Sequence, residues 1–304
     1  RASHVGEEIV VCGWVANRRN HGGVFFVDLR DRAGILQLIA DEDTTQEIRD
    51  QFEGLHPEYV VQVTGIIRPR MEGQSNSDRA TGEVELLVSK LLVLSKADRL
   101  PFEIQDELDV PEQLRMKYRY LDLRRAPMQS LVELRSKANH AVRCSLVEMG
   151  FTEVETPLMT RSTPEGARDY LIPSRVRPGS WYALPQSPQV FKQLCMVGGL
   201  DKYFQVARCL RDEDLRSDRQ PEFTQLDMEM SFVEEDEILA MVEQVMSQLY
   251  RDVLGQELPL PFERMPYSEA LNRFASDKPD LRIPIEITDL QSVAGKIGFA
   301  VYDN

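Results

Sequence analysis

RDEDLRSDRQPEFTQLDMEMSF, Arg211 to Phe232, decides how the rest of the chain is read. It opens on the ionic run Arg211, Asp212 and Glu213, passes through a loop carrying Arg216 and Arg219, and ends in strict alternation. Phe223, Gln225, Asp227, Glu229 and Ser231 fall on one face of a strand, and Thr224, Leu226, Met228, Met230 and Phe232 on the other. The second face is expected in the core; the first is a polar wall. A solvated edge strand alternates in the same way. The charged loop feeding this strand is what points to a site, because guanidinium groups over a polar sheet floor suit a phosphate-bearing ligand. Upstream, Lys202 to Leu210 reads as a second strand, so the two form an antiparallel hairpin that places Arg211 close to Gln225 and Asp227.

Working outward, PQSPQVFKQL (Pro185–Leu194) predicts a helix with Pro188 in its first turn. Gln189 and Lys192 lie three apart on one face, while Val190, Leu194 and Val197 pack elsewhere. A Gln and a Lys so placed can hold a small zwitterion or a carboxylate; a solvated face would look the same. TPEGARD (Thr163–Asp169) is a loop of mixed charge around a glycine. A helix is expected from Met128 to Met149, with Leu131, Leu134, Ala138, Val142, Ser145 and Met149 at helical spacing and Gly150 as its stop. GFTEVETP then turns extended, and Pro157 confines that run to a sheet edge or an interface between subunits. From Glu234 to Leu254 the stripe Ile238, Leu239, Val242, Val245, Met246, Leu249 and Val253 marks an amphipathic helix with four acids at its N-terminus.

Residues 8 to 95 read as a small all-β unit. Strands are expected at Glu8–Val15, Val24–Arg30, Ile35–Ala40, Tyr59–Ile67 and Glu83–Leu94, with a helix near Thr45–Phe52, the element order of an OB-fold barrel. If Phe25, Val27 and Leu29 point inward, Phe26 points outward; if Leu36 and Leu38 point inward, so does Gln37 point outward. Phe26, Gln37, Arg18 and Arg19 then form an aromatic, amide and cationic group suited to single-stranded bases. RMKYRYLDLRR (Arg115–Arg125) holds five cations against one acid. It reads as a hinge between domains that also touches a phosphate backbone, or as only an interdomain ionic seam.

Composition sets the bounds. With 304 residues, 42% hydrophobic and 28% charged, the chain can bury a sizeable core in two or more domains. It has no apolar run long enough to span a membrane and no signal-peptide pattern, so a cytosolic location is expected, and a start at Arg1 suggests that a few residues precede it. The net charge of −14 argues against indiscriminate nucleic-acid binding. Cys12, Cys144, Cys195 and Cys209 are scattered and read as buried reduced thiols. The sequence has no P-loop, GxGxxG, GxSxG or HExxH, and His4, His21, His56 and His140 are dispersed, so a histidine-based nucleophilic mechanism or a zinc site is not expected. Charge-stabilised chemistry on a phosphate, done by positioning, remains.

GFTEVETP, TPEGARDYLIP, ALPQSPQVFKQL and RCLRDEDLRSDRQPEFTQLD together resemble the bacterial-type aspartyl-tRNA synthetases, class II aminoacyl-tRNA synthetases, and the similarity runs over essentially the whole chain. The resemblance implies an α+β fold: an OB-fold anticodon-binding barrel (1–98), a hinge (99–127), the N-terminal part of a class II antiparallel β-sheet flanked by helices (128–277), and from residue 278 the start of a bacterial-type inserted domain. It implies ATP with Mg2+, L-aspartate and tRNA(Asp) as partners, and a homodimer built around Pro157.

By the same resemblance, Arg211 grips the α-phosphate and the reacting carboxylate. Asp212 and Glu213 contact the nucleotide, Gln220 helps hold ATP and Phe223 stacks on adenine. Arg216 and Arg219 reach the tRNA acceptor end; Arg19, Phe26 and Gln37 read the anticodon. Glu165 sits in a loop that closes over the amino acid, Gln189 and Asp227 receive its ammonium, and Lys192 pairs with its side-chain carboxylate. Asparagine would leave Lys192 with a buried charge and no counter-ion. His21 and Gly73 resemble the residues of relaxed enzymes that charge tRNA(Asn) as well.

Nothing in the chain matches the third class II motif, a Gly-rich stretch whose arginine clamps the γ-phosphate, and no metal-binding acids are identified in it. The resemblance is therefore to a fragment, inactive as written. A strict tRNA(Asp) enzyme, a non-catalytic tRNA-binding paralogue, and an OB-fold module with an unrelated second domain stand as alternatives.

Overall fold

The computed structural model describes residues 2–71, 73–163, 165–216, 219–283 and 285–290. Within them the chain forms two compact units that divide between Leu131 and Val132.

The first unit is a closed five-stranded barrel: β1 (Glu8–His21), β2 (Val24–Asp31), β3 (Gly34–Ala40), β4 (Val60–Pro69) and β5 (Val84–Ser95). They close in the order β1-β2-β3-β5-β4, with helix α1 (Gln46–Glu53) between β3 and β4. Every neighbouring pair is antiparallel except β3 and β5, the pair that closes a barrel of this order. Period-2 alternation fills the interior: Val15, Phe25, Val27, Leu29, Leu38, Val61, Val63, Leu86 and Val88 meet in one cluster against Ile48 and Phe52 of α1. The first strand runs six residues beyond the expected Val15, past an irregularity in pairing between Val15 and Asn17.

The arginine-rich segment forms two short helices, α2 (Glu112–Lys117) and α3 (Arg119–Asp122). Its ion pairs among the described residues lie within the first unit. Asp122, 0% exposed, takes Arg119 and Arg125 at 2.8 Å each and Arg115 at 3.8 Å. Arg124 bonds to Glu58 at 2.5 Å and lies over the Trp14 ring, and Glu58 also takes Arg30 at 2.7 Å. Two buried carboxylates thus hold most of the segment's cations: Asp122 from within the segment, and Glu58 through Arg124, which ties it to the barrel.

The second unit begins within α4 (Ala126–Glu148), which ends before Gly150 at φ +83°. A three-stranded sheet follows in the order β10-β9-β6, formed by β6 (Thr152–Glu153), β9 (Lys202–Leu210) and β10 (Glu222–Met230). Between β6 and β9 come the small hairpin β7 (Leu171–Pro173) and β8 (Trp181–Ala183) and helix α5 (Gln189–Val197); α6 (Glu235–Leu254) and α7 (Tyr267–Phe274) come after β10. The two-residue β6 lies at the edge beside β9 and stops short of Pro157, as a proline that cannot donate to a ladder requires. Val142 and Leu146 of α4, Phe151, Phe204, and Met241 and Val245 of α6 form the core beneath the sheet, with Met228 and Met230 packed against it.

Several expectations need correction. In α4 the buried residues are Ala141, Val142, Ser145 and Leu146, whereas Leu131 and Leu134 are exposed. In α5, Val190, Leu194 and Val197 stand exposed instead of packed. Cys12 and Cys144 are exposed and Cys195 is half-buried, so only Cys209 is the buried thiol expected. The α6 stripe includes Met241 and turns Glu243 inward, where it accepts from the Phe262 N–H and Arg264 and clamps the proline-rich segment after the helix. Residues 291–304, most of the expected start of an inserted domain, lie outside the described residues.

Candidate active site and nucleic-acid face

The hairpin register fixes the candidate site. Phe223 pairs with Cys209, Gln225 with Ala207, Asp227 with Gln205 and Glu229 with Tyr203. Paired residues project to the same side, so these eight side chains form one floor. Its centre is more deeply buried than the opposite face expected to be core: Asp227 is buried, while Leu226 behind it is exposed. Helix α5 covers that centre. Lys192 Nζ lies 2.7 Å from Asp227 Oδ1 and 3.3 Å from Glu229 Oε2. Burial alone would lower the ammonium's pKa; Asp227 and Glu229 outweigh it and hold the pKa above its ordinary value.

Arg211 sits at the mouth of the hairpin, where its N–H donates to Pro221 O. Its guanidinium carbon lies 5.1 Å from the Phe223 ring centre, and Gln225 pairs with Ala207 two rungs deeper than Phe223. Side-chain reach therefore brings Arg211 into the site, while its backbone stays at the edge. The Cys209 thiol marks where the charges converge: burial pushes its pKa up to about 11, Arg211 pulls against that, and Asp227 and Glu165 reinforce it. Burial, with Asp227 nearby, also raises Tyr203, whose hydroxyl donates to Gln205 Oε1 at 2.9 Å.

Among the described residues, Arg211 Nε and Asp227 Oδ2 are buried polar atoms of this site with no hydrogen-bond partner. Such orphans are costly unless a ligand satisfies them. One is a donor suited to an anionic oxygen and the other an acceptor suited to an ammonium.

The remaining predicted residues line the approach. Glu165 is half-buried and accepts from Ser187 Oγ at 2.7 Å and Thr163 Oγ1 at 3.1 Å. Gln189 opens α5 with its N–H donating to Ser187 Oγ at 3.3 Å. The Asp212 N–H donates to Arg168 O at 3.0 Å, and Arg168 Nε donates back to Asp212 O at 2.9 Å. Glu213 takes Arg219 at 3.3 Å. Arg216 and Gln220 are exposed at the mouth, with Arg216 bridged to Arg219. The sequence reading passed over Gln186 and Ser187, although both lie inside the PQSPQ segment it singled out. Among the described residues no group of three or more His, Cys, Asp or Glu is placed to hold a metal ion.

On the barrel, the outer face of β2 and β3 is a bonded polar network. Asp28, 4% exposed, takes Arg79 at 2.7 Å and Arg19 at 3.2 Å. Gln37 is 7% exposed and donates to Glu85 at 2.9 Å, with Arg19 at 3.5 Å from its carbonyl oxygen. Its outward direction is as expected, but its free amide is not, because Arg19 and Glu85 close over it. Arg18 turns away to donate to Glu53 O at 2.7 Å, capping the last turn of α1. Phe26 stays partly open with His21 edge-on at 5.9 Å, and Gly73 lies in the loop between β4 and β5.

Known proteins give this geometry its class. Residues 111–295 match the family of class II tRNA synthetases (D, K and N), and residues 9–94 match the OB-fold nucleic acid binding domain. The chain belongs to the class II tRNA synthetases. It is 54% identical over 299 residues to an aspartate–tRNA(Asp/Asn) ligase of Symbiobacterium thermophilum, covering 98% of this chain and 50% of that protein. A ligase of the same name from Endomicrobium trichonymphae is 51% identical over all of this chain and 52% of its own length, and an aspartate–tRNA ligase of Clostridium perfringens is 50% identical over 99% and 50%. The chain thus spans about half the length of the curated relatives it matches. Asparaginyl-tRNA synthetases of Pyrococcus horikoshii and Entamoeba histolytica, each solved with asparaginyl-adenylate, share the fold at TM-scores of 0.72 and 0.74. They are 23% and 21% identical, covering 83% and 88% of this chain and 56% and 62% of theirs. Among the described residues no helix is long and apolar enough to cross a membrane.

Proposed function

We propose that this chain carries the aspartate- and ATP-binding floor of a cytoplasmic aspartate–tRNA ligase that charges tRNA(Asp) and also tRNA(Asn). The observation that carries the reading is the pair of buried, unpartnered atoms on one sheet face, Arg211 Nε and Asp227 Oδ2. An amino acid bound between them presents its ammonium to Asp227 and Gln189 and its α-carboxylate towards Arg211. One carboxylate oxygen attacks the α-phosphorus of ATP, the bond to pyrophosphate breaks, and Arg211 neutralises charge on the phosphoryl oxygens. Phe223 takes the adenine, with Asp212, Glu213 and Gln220 around the nucleotide. A hydroxyl of the terminal tRNA ribose then attacks the acyl carbon and releases AMP, while Arg216 and Arg219 steady the acceptor end. Magnesium comes with the ATP phosphates as part of the substrate.

Selectivity against asparagine needs a different account from a stranded lysine, because Asp227 and Glu229 already balance Lys192. The aspartate side chain accepts from Nζ with both oxygens. The asparagine amide is neutral and offers Nζ one acceptor oxygen in place of two.

In the same proposal the barrel at 1–98 reads the anticodon through Phe26, with Arg19 and Gln37 exchanging their Asp28 and Glu85 partners for the bases, 99–127 as hinge, 128–277 as catalytic core and an inserted domain from 278. The exposed Leu131, Leu134, Leu158 and Met159 suit a homodimer. Aspartate-dependent exchange of pyrophosphate into ATP by the full-length protein is the test, and no exchange would refute the reading. Charging of a tRNA(Asn) transcript tests the relaxed specificity assigned to His21 and Gly73; product at background would leave the strict enzyme.

A further inference from the structure

Gln186, a side chain outside the residues assigned above, bonds to the TPEGARD loop. Gln186 is 1% exposed, and its amide is fully engaged. Its Oε1 accepts from the Ala167 N–H at 3.1 Å and its Nε2 donates to Ala167 O at 2.9 Å, as a neighbouring strand would. The same Nε2 donates to Asp169 Oδ1, whose other oxygen accepts from Ser162 Oγ. The next residue, Arg168, exchanges two hydrogen bonds with the backbone of Asp212, beside Arg211. Gln186 therefore fixes the half of the loop that reaches the hairpin mouth.

The other half is held differently. The Glu165 carboxylate accepts from the hydroxyls of Ser187 and Thr163, and its N–H donates to Thr163 O at 3.0 Å. Between the halves stands Gly166 at φ +96°, a left-handed backbone that glycine adopts without strain and other residues do not.

We propose that Gln186 is a positioning residue for amino-acid binding: it anchors Ala167 so that Glu165, pivoting at Gly166, returns to one place beside the Lys192–Asp227 pair. The inference rests on the aspartate-ligase reading of that site. Asparagine at 186 is too short by one methylene to span Ala167, and leucine fills the space without the bonds.

The test compares Q186L and Q186N with the wild type in the full-length protein. In pyrophosphate exchange, the aspartate KM is expected to rise about tenfold, with kcat and the ATP KM within about twofold, the signature of lost ground-state positioning. Hydrogen exchange in a peptide covering residues 163–170 is expected to quicken about tenfold while core peptides stay protected. An unchanged aspartate KM, or equal losses in kcat and both KM values, would overturn the proposal. If Q186L does not fold, Q186N is read by the same criteria. If the wild type shows no aspartate-dependent exchange, the ligase reading fails on its own, and unchanged hydrogen exchange in Q186N would still sink the anchor.

Discussion

Lys192 Nζ lies 2.7 Å from Asp227 Oδ1, so an ammonium on α5 is pinned to a buried carboxylate on β10 whose second oxygen is left without a partner. The pair orients Asp227: one oxygen is committed to the helix and the other is presented to the site. Lys192→Met should remove that orientation and leave Asp227 an unmatched buried anion. We expect the aspartate KM in pyrophosphate exchange to rise about a hundredfold, in line with truncating one partner of a buried charge pair. Aspartate dependence unchanged from the wild type would take Lys192 out of the site.

Arg211→Lys keeps the charge but loses Nε and the planar group that lies over Phe223. An ammonium cannot reproduce that fork. Exchange turnover should fall by about 10²-fold, the scale of one lost transition-state donor, with the melting temperature nearly constant. Activity within a few-fold of the wild type would show that Arg211 contributes only charge.

Cys209 should behave as an inert thiol despite its place in the site. Burial raises its pKa from an ordinary 9.0 to about 11, so across that window the folded chain keeps a proton that the unfolded chain has lost. Stability from this group is complete below about pH 9 and declines as pH rises towards 11. Iodoacetamide at pH 8, read by mass spectrometry, should label the exposed Cys12 and Cys144 and spare Cys209. Early labelling of Cys209 would contradict its burial.

Asp122 is a structural anchor, with Arg119 and Arg125 at 2.8 Å on a carboxylate that water does not reach. Asp122→Asn strands two guanidinium groups beside a neutral amide. A loss of about 3 kcal/mol is expected in urea unfolding of the first unit, the scale for breaking a buried pair from one side. A change under about 0.5 kcal/mol would mean that the seam is solvated in solution.

The elements were largely legible because period-2 and period-3.6 patterns reflect local geometry. Four of the five barrel strands fall within two residues of their expected bounds, the first runs six residues further, and β9 spans Lys202–Leu210 as expected. What the sequence concealed was pairing across distance. Gln37 reads as a free amide until Glu85, 48 residues away, is brought against it. Arg18 and Arg19 are neighbours in sequence, yet one caps α1 and the other binds Asp28. Gln186 carries no periodic signal at all, since its role depends on where a loop 19 residues earlier returns. Apolar spacing in α4 and α5 showed correctly which side chains share a face, but spacing alone does not say whether anything covers that face.

The strict alternation of β10 has a consequence for how this protein can change. Replacing one residue alters one rung of the floor, but gaining or losing one between Phe223 and Glu229 would invert every rung beyond it. Met228 would then face Lys192, and Asp227 would be driven among Leu146 and Phe204. Length is thus a harder constraint on this strand than chemistry. Insertions should be tolerated in the Asp212–Pro221 turn and rejected a few residues later, a boundary that a single-residue insertion scan read by soluble expression would draw.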